Sequence, residues 1–184
     1  FTGLPYSEQM DRLGFAEGGE VSLEKIFRTE YDRLKNAYPD LAEDTSYEIF
    51  KKNAIELLAN PVKKAESDNR NLKRGTNQRG SSASGFYQFL EQSVPTAINR
   101  TNRFYQDERL DIFGKALENN DSSVLSEQAQ DALFFSNIFE SKGSDMRLVP
   151  ALFKGDKKAA RDVYLYNHHT LSSKNPEYNQ ATIN

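Results

Sequence analysis

The chain has 184 residues, 37% of them apolar, which suffices for one core of ordinary size but not for two large domains. Its 24 Lys and Arg residues against 27 Asp and Glu residues give a net charge of −3, so we expect no nucleic-acid partner. No run approaches the roughly 20 apolar residues that a bilayer-spanning helix needs, so we expect no membrane span. Since the sequence contains no Cys, disulfides, thiolate metal sites and a Cys nucleophile are excluded.

The first segment, residues 1–21, combines scattered acidic residues with several Gly and one Pro and shows no sustained helical period. We predict a flexible arm or linker there. Residues 1–44 hold ten Asp or Glu against five Lys or Arg, a net charge of −5, and this acidic stretch is a candidate docking surface for another part of a larger assembly. Because the sequence begins at Phe1 rather than Met, we expect a processed product or a segment of a longer polypeptide.

Apolar residues at helical spacing predict the helices of the first third. A stripe over residues 23–38 predicts the first helix. Thr45 followed by Glu48 has the spacing of a capping box, which predicts the start of a second helix. Asn and Pro at the beginning of residues 60–67 predict a further short helical turn.

The next segment, residues 69–85, is rich in Asn, Gly and Ser, which predicts a loop or a small hairpin. Helical patterns return over residues 86–90, 95–105 and 125–133, and Asp156 has the position of an N-cap for a last helix. We therefore predict a mainly α chain with at most a small β element or loop at about 70–85.

One motif carries most of the functional information. Glu66-Ser67 is followed by a polar loop and then by the run Ser82-Ala83-Ser84-Gly85-Phe86-Tyr87-Gln88-Phe89. This order resembles the lytic transglycosylase and goose-type lysozyme superfamily, whose motif is Glu-Ser at a helix end, a variable loop, then Gly-Ala-x-Gly-Leu-x-Gln. Pro95-Thr96-Ala97 is similar to the family's Pro-x-Thr-Ala segment, and Tyr166-Asn167 to the start of its late Ala-Tyr-Asn motif. The resemblance spans about residues 47–170.

The resemblance implies a lysozyme-like fold, with residues 22–184 as a catalytic domain that carries a helical N-terminal extension. It implies cleavage of peptidoglycan between N-acetylmuramic acid and N-acetylglucosamine with closure of a 1,6-anhydro ring, without a cofactor. The run Leu165-Tyr166-Asn167-His168-His169-Thr170 is most similar to cell-wall-degrading domains of phage particles. That similarity implies a virion-associated protein that acts on the bacterial cell wall in the periplasm, with other virion or tail proteins as partners of the N-terminal arm.

The residue types also fit this chemistry on physical grounds. Protonating a glycosidic oxygen needs an acid that stays protonated near neutral pH, and a Glu at a helix end facing a cleft meets that need. Glu66 is therefore the candidate general acid and base. Glycine allows close backbone approach to a sugar, Ser and Gln side chains can donate hydrogen bonds to it, and Tyr rings offer flat contact faces. The predicted substrate-binding residues are Ser67, Ser84, Gly85, Tyr87, Gln88, Tyr166, Asn167 and His168. Judged singly, Tyr87, Phe86 and Phe89 fit core positions better than sugar contacts, because aromatic residues at helical spacing are usually buried.

The number of carboxylates separates a lyase from a hydrolase. Glycosidases need a second carboxylate about 5 to 9.5 Å from the acid. Asp68 is the nearest acid in sequence, and a continuing helix would rotate it by roughly 200° from Glu66. The sequence therefore favours the one-carboxylate lytic transglycosylase, and a hydrolysing muramidase is the alternative enzyme.

Several departures from the family pattern support other readings. Ser82 replaces the first Gly of the family motif, and His168-His169 replaces the small residues after Tyr-Asn, so a non-catalytic glycan-binding or structural module of a virion stays an alternative. A small chitin-active domain is a third. Neighbouring helix positions diverge by about 100°, so the two His residues are not expected to bind one metal ion. Residues 60–80 carry a net charge of +4, from six cations and two acids, which either attracts anionic wall polymer or favours ionised Glu66.

Overall fold

A computed structural model describes residues 15–16, 20–42, 44–76, 81–105, 113–142 and 146–168. These residues are mainly helical, which confirms the predicted fold class. The helices are α1 (Leu23–Ala37), α2 (Pro39–Ala42), α3 (Tyr47–Asn53), a π-helical segment (Ala54–Ala59), α4 (Asn60–Ser67), α5 (Val94–Phe104), α6 (Gly114–Asn119), a 3-10 turn (Ser122–Val124), α7 (Glu127–Lys142), α8 (Leu148–Lys154) and α9 (Lys157–His168). None of the helices described is long and apolar enough to cross a bilayer.

A short hairpin precedes the helices. Strand β1 (Phe15–Ala16) pairs antiparallel with β2 (Glu20–Val21), with Phe15 opposite Val21. Strand β2 packs against α7. The end of the predicted flexible arm is thus paired and packed, which corrects that prediction for these two strands; residues 1–14 and 17–19 lie outside the described residues.

Helix α7 lies at the centre of the core. Its buried side chains point in every direction, and α1, α5, strand β2 and the π-helical segment pack around it. A helix that is apolar all round is typical of a buried position, and it carries no stripe that would reveal its length. This explains why the predicted pattern, 125–133, is shorter than the helix. The buried residues of α7 are Ala129, Gln130, Ala132, Leu133, Phe134, Phe135, Ser136, Ile138 and Phe139.

Residues 47–67 form one continuous helical rod with a π-helical middle. Ser46, not the predicted Thr45, is its N-cap: Ser46 Oγ accepts a hydrogen bond from the Ile49 amide at 3.3 Å. Thr45 is buried, and its hydroxyl donates to the Phe153 carbonyl at 2.9 Å. The tertiary contact therefore takes the side chain that the sequence pattern assigned to the cap.

The helix predicted for 60–67 is present, but it continues the preceding helix. The Asn60 amide donates to the Ile55 carbonyl, five residues back, which is the π-helical spacing. The next residue is Pro61, whose ring clashes with the carbonyl four residues earlier in a regular α-helix. The wider π-helical turn ends where the proline begins, so the rod runs on to the end of α4.

The predicted last helix is confirmed as α9, with Asp156 Oδ1 accepting from the amides of Lys158 at 2.9 Å and Ala159 at 3.1 Å. The stripe over 23–38 is confirmed as α1, and 95–105 as α5. The helix predicted for 86–90 is wrong. That segment is a tight turn in which the backbones of Ser84 and Phe89 bond to each other in both directions, at 2.9 and 3.0 Å.

Candidate active site

Glu66 lies in the last turn of α4, which ends because the next two residues leave the helix. Asp68 and Asn69 both have left-handed backbones, with φ of 53° and 59°, and the Asn69 amide donates to the Lys63 carbonyl at 3.1 Å. Side chains with short polar groups tolerate this conformation better than others do. The helix end therefore fixes the direction of the chain directly after Glu66.

The Glu66 carboxylate is half-buried and contacts α9. The Tyr164 hydroxyl donates a hydrogen bond to Glu66 Oε1 across the 98 residues that separate them in the sequence. The phenol side chain is itself buried. A carboxyl group held by a buried phenol has a defined position, which is what a proton-transferring group requires.

Ser67 connects the end of α4 to the turn formed by residues 84–89. Its hydroxyl lies 2.8 Å from the Phe86 carbonyl oxygen and 3.0 Å from the Lys63 carbonyl oxygen. The side chain is buried. The predicted sugar contact of Ser67 is therefore corrected: its hydroxyl is used within the fold, and it holds the 84–89 turn next to Glu66.

Gly85 is required by two features of that turn. Its φ of +77° is rarely adopted by L side chains, and a Cβ atom would lie 2.2 Å from Gln130 Oε1 and 2.5 Å from Ser122 Oγ. Its amide donates to the Leu72 carbonyl at 2.7 Å. The close approach that the sequence assigned to a sugar is made to Gln130 and Ser122 instead.

Ser84 is also occupied inside the protein. Ser84 Oγ accepts from the Ser122 amide at 2.8 Å, and Ser122 Oγ donates to the Ser84 carbonyl at 2.9 Å. Ser84 is fully buried, so it presents no group to a ligand and the predicted substrate contact is corrected. Gln88 is half-buried with φ of 54°, and its Nε2 donates to the Gly85 carbonyl at 2.8 Å. The Gln88 side chain thus braces the turn, and its contact with substrate stays a prediction.

Tyr87 belongs to the core. Its side chain is 2% exposed, its ring stacks on Phe134 with centroids 4.3 Å apart, and its hydroxyl donates to Asp131 Oδ1. Burial and the neighbouring carboxylate of Asp131 raise the pKa of Tyr87 well above its ordinary value. With one ring face covered by Phe134 and almost no exposed surface, Tyr87 offers no platform to a sugar, which corrects that prediction in favour of the core.

The last three predicted contacts are in α9. The backbone places Tyr166, Asn167 and His168 in the helix, and their side chains lie outside the described residues, as does His169. The residue of this helix that meets Glu66 is Tyr164, which the sequence reasoning missed. The sequence did contain a signal for Tyr164, because this residue lies two positions before the predicted contact Tyr166 in the same Tyr-rich stretch. Gln130 and Ser122 were missed as well, and nothing in their local sequence distinguishes them.

Two cations of the basic segment, Lys64 and Arg74, are bonded to anions or carbonyl oxygens. Lys64 pairs with Asp68, and this hydrogen bond together with the charge of Lys64 lowers the pKa of Asp68. Arg74 donates to the Asn119 carbonyl at 2.7 Å and lies 3.3 Å from Glu91. Arg79, the last cation of the basic segment, lies outside the described residues. Within the described ranges no three His, Asp or Glu side chains form a group that could hold a metal ion.

Comparison with known proteins adds no family. No protein-family model, no curated protein and no solved structure matches the chain. The function is therefore inferred from the motif and from the geometry around Glu66.

Proposed function

We propose that this protein is a peptidoglycan lytic transglycosylase in which Glu66 is the general acid and base, and that it acts on the bacterial cell wall as part of a phage virion or tail. One observation carries the proposal. The Glu of the Glu-Ser motif is held by a buried phenol from α9, while the adjacent Ser67 is bonded to the turn that contains the second half of the motif. The two motif segments, which a polar loop separates in the sequence, thus meet at Ser67, the residue directly after Glu66.

The proposed reaction needs two proton transfers by the same group. Protonated Glu66 donates its proton to the oxygen that joins N-acetylmuramic acid to N-acetylglucosamine, and the glycosidic bond breaks. The resulting carboxylate then accepts the proton of the muramic 6-hydroxyl, whose oxygen closes the 1,6-anhydro ring.

The neighbouring acids support a lyase rather than a hydrolase. A hydrolysing enzyme needs a second carboxylate about 5 to 9.5 Å away to act on water or on the sugar. Asp68, the nearest acid in sequence, is exposed and paired with Lys64. Asp131 is bonded to the Tyr87 hydroxyl and to Lys63. Among the residues that the structure describes, these two carboxylates are thus already bonded to other side chains, which favours the one-carboxylate reaction.

The test uses purified sacculi in water enriched in ¹⁸O. A lyase releases muropeptides with anhydro ends and no ¹⁸O, whereas a muramidase releases reducing ends that contain the label, and mass spectrometry separates the two. Glu66→Gln should abolish release while the circular dichroism spectrum and the Tm stay close to those of the parent. Glu56→Gln is the matched control, since Glu56 is an exposed carboxylate of the same helical rod. Full release by Glu66→Gln would refute the assignment.

A second candidate is a structural module of the virion that retains the fold without turnover. The observation in its favour is that Ser67, Ser84, Gly85 and Tyr87, all predicted to bind substrate, are directed into the protein. This candidate expects that the parent protein and Glu66→Gln both release nothing from sacculi. Release by the parent protein that depends on Glu66 excludes it.

A further inference from the structure

Two consecutive residues of the central helix are bonded to α4, to the loop that follows it and to the 84–89 turn. Gln130 and Asp131 are both in the first half of α7. Gln130 is bonded to the loop after Glu66 and to the 84–89 turn, and Asp131 is bonded to α4 before Glu66 and to the same turn. The end of α4 and the 84–89 turn are therefore both bonded to the same two residues of α7.

Gln130 uses both ends of its side-chain amide. Its Oε1 accepts from the Phe86 amide at 2.8 Å, and its Nε2 donates to Asn71 Oδ1 and to the Leu125 carbonyl, each at 3.0 Å. The side chain is fully buried. A buried amide with its donor and acceptor groups both satisfied has one orientation, because a rotated amide would place like groups against each other.

Asp131 connects α7 to the 84–89 turn and to α4, as Gln130 connects α7 to the turn and to the loop after α4. It accepts from the Tyr87 hydroxyl, and Lys63 Nζ lies 3.3 Å from Asp131 Oδ1 and 2.9 Å from Glu127 Oε1. Lys63 is buried and stands one helical turn before Glu66 on α4. The two neighbouring residues Phe86 and Tyr87 are thus attached to two neighbouring residues of α7.

We propose that Gln130 is a positioning residue for Glu66: it holds the 84–89 turn and the loop after α4 at the distance from the carboxyl group that turnover requires. This inference rests on the proposed function. The tight packing supports it, since Gly85 leaves room for Gln130 Oε1 and any shift of that oxygen moves the turn. Ser67, which follows Glu66, is bonded to the same turn through the Phe86 carbonyl, so a moved turn also displaces the end of α4.

The test compares Gln130→Met with Gln128→Met. Methionine has a similar length and leaves all three hydrogen bonds of Gln130 unmade, and Gln128 is a half-buried Gln of the same helix. Release from sacculi is measured per folded molecule, well below each Tm. For Gln130→Met we expect kcat to fall about tenfold or more with KM within about twofold, since small misplacements of a reacting group reduce the chemical step. Gln128→Met should retain the parent kcat. A residue with only a structural role lowers the Tm and leaves kcat per folded molecule unchanged, and that result overturns the proposal.

A second variant and a second readout keep the test decisive. If Gln130→Met does not fold, Asn71→Ala removes one partner of Gln130 from an exposed loop position, and kcat should fall about threefold; an unchanged kcat overturns the proposal. Amide hydrogen exchange, read by NMR without substrate, separates this proposal from the proposed function. The Phe86 and Ser67 amides should exchange faster in whichever variant folds and not in Gln128→Met, even if the protein cleaves no glycan. Unchanged exchange at both amides means that Gln130 does not hold the turn.

Discussion

The glycine in the 84–89 turn offers a direct measurement of how tightly this region is packed. Gly85 and Gly75 have nearly the same backbone φ, +77° and +79°. They differ in surroundings: a Cβ at Gly85 would lie 2.2 Å from Gln130 Oε1, whereas a Cβ at Gly75 meets no atom within 4 Å. Substituting Ala at each position therefore separates the cost of backbone strain from the cost of the close contact between a Cβ atom and Gln130 Oε1.

The expected loss follows from the contacts. At Gly75 the substitution adds the left-handed backbone strain alone, about 1 kcal/mol. At Gly85 the same strain is joined by overpacking of about 1 to 3 kcal/mol and by weakening of the buried hydrogen bond between Gln130 and the Phe86 amide. We expect Gly85→Ala to lower the free energy of unfolding by about 4 kcal/mol in total. For a chain of this size the Tm should fall by about 8 to 16 °C for Gly85→Ala and by about 2 to 4 °C for Gly75→Ala.

The assay is thermal unfolding of both variants and the parent, followed by circular dichroism at one pH and one protein concentration, with urea unfolding to confirm the order. Release from sacculi is measured in parallel. The Gly85→Ala variant should release no muropeptides from sacculi even at temperatures where it is folded, because the 84–89 turn has moved. Equal Tm values for the two glycine variants would contradict the packing described for Gly85.

Two further predictions concern the hydroxyl and carboxyl groups of the site. Tyr164→Phe removes the hydrogen bond to Glu66 Oε1 and should lower release about tenfold while the Tm falls by only a few degrees; parent-like release would show that the phenol does not position the acid. Burial raises the pKa of Asp131 above its ordinary value of 3.8, so the folded chain keeps a proton that the unfolded chain has released. The free energy of unfolding should therefore fall as the pH rises from 3.8 through the folded-state pKa of Asp131, and Asp131→Asn should remove that part of the decline in urea titrations at successive pH values. Identical slopes for the parent and Asp131→Asn would contradict the raised pKa.

Local interactions account for the parts of the fold that the sequence predicted. Helix α1 has one apolar stripe, and Asp156 caps α9 through amides two and three residues away, so neither feature needs information from distant residues. Likewise, the end of α4 at Ser67 follows from polar residues that accept a left-handed backbone. These features depend on a few neighbouring residues and can therefore be read in order along the chain.

The 84–89 turn could not be predicted in this way. Its aromatic residues have helical spacing, but its backbone groups are bonded to Leu72 and to Gln130, residues that only the folded chain brings there. Thr45 was predicted as a cap on local spacing, and its hydroxyl instead bonds to Phe153, 108 residues away. In both cases a long-range hydrogen bond replaced the local one that the pattern described.

The sequence by itself determined the mainly α class, the position of Glu66 at the end of a helix and the segment that lies beside it. Only the tertiary structure decided which residues surround that carboxyl group. It selected Tyr164 as the partner of Glu66, and it directed Ser67, Ser84 and Tyr87 inward. The physical reason is that periodicity records which residues are apolar or polar, whereas the partner of a buried hydroxyl or amide is set by the packing of helices that are distant in the sequence.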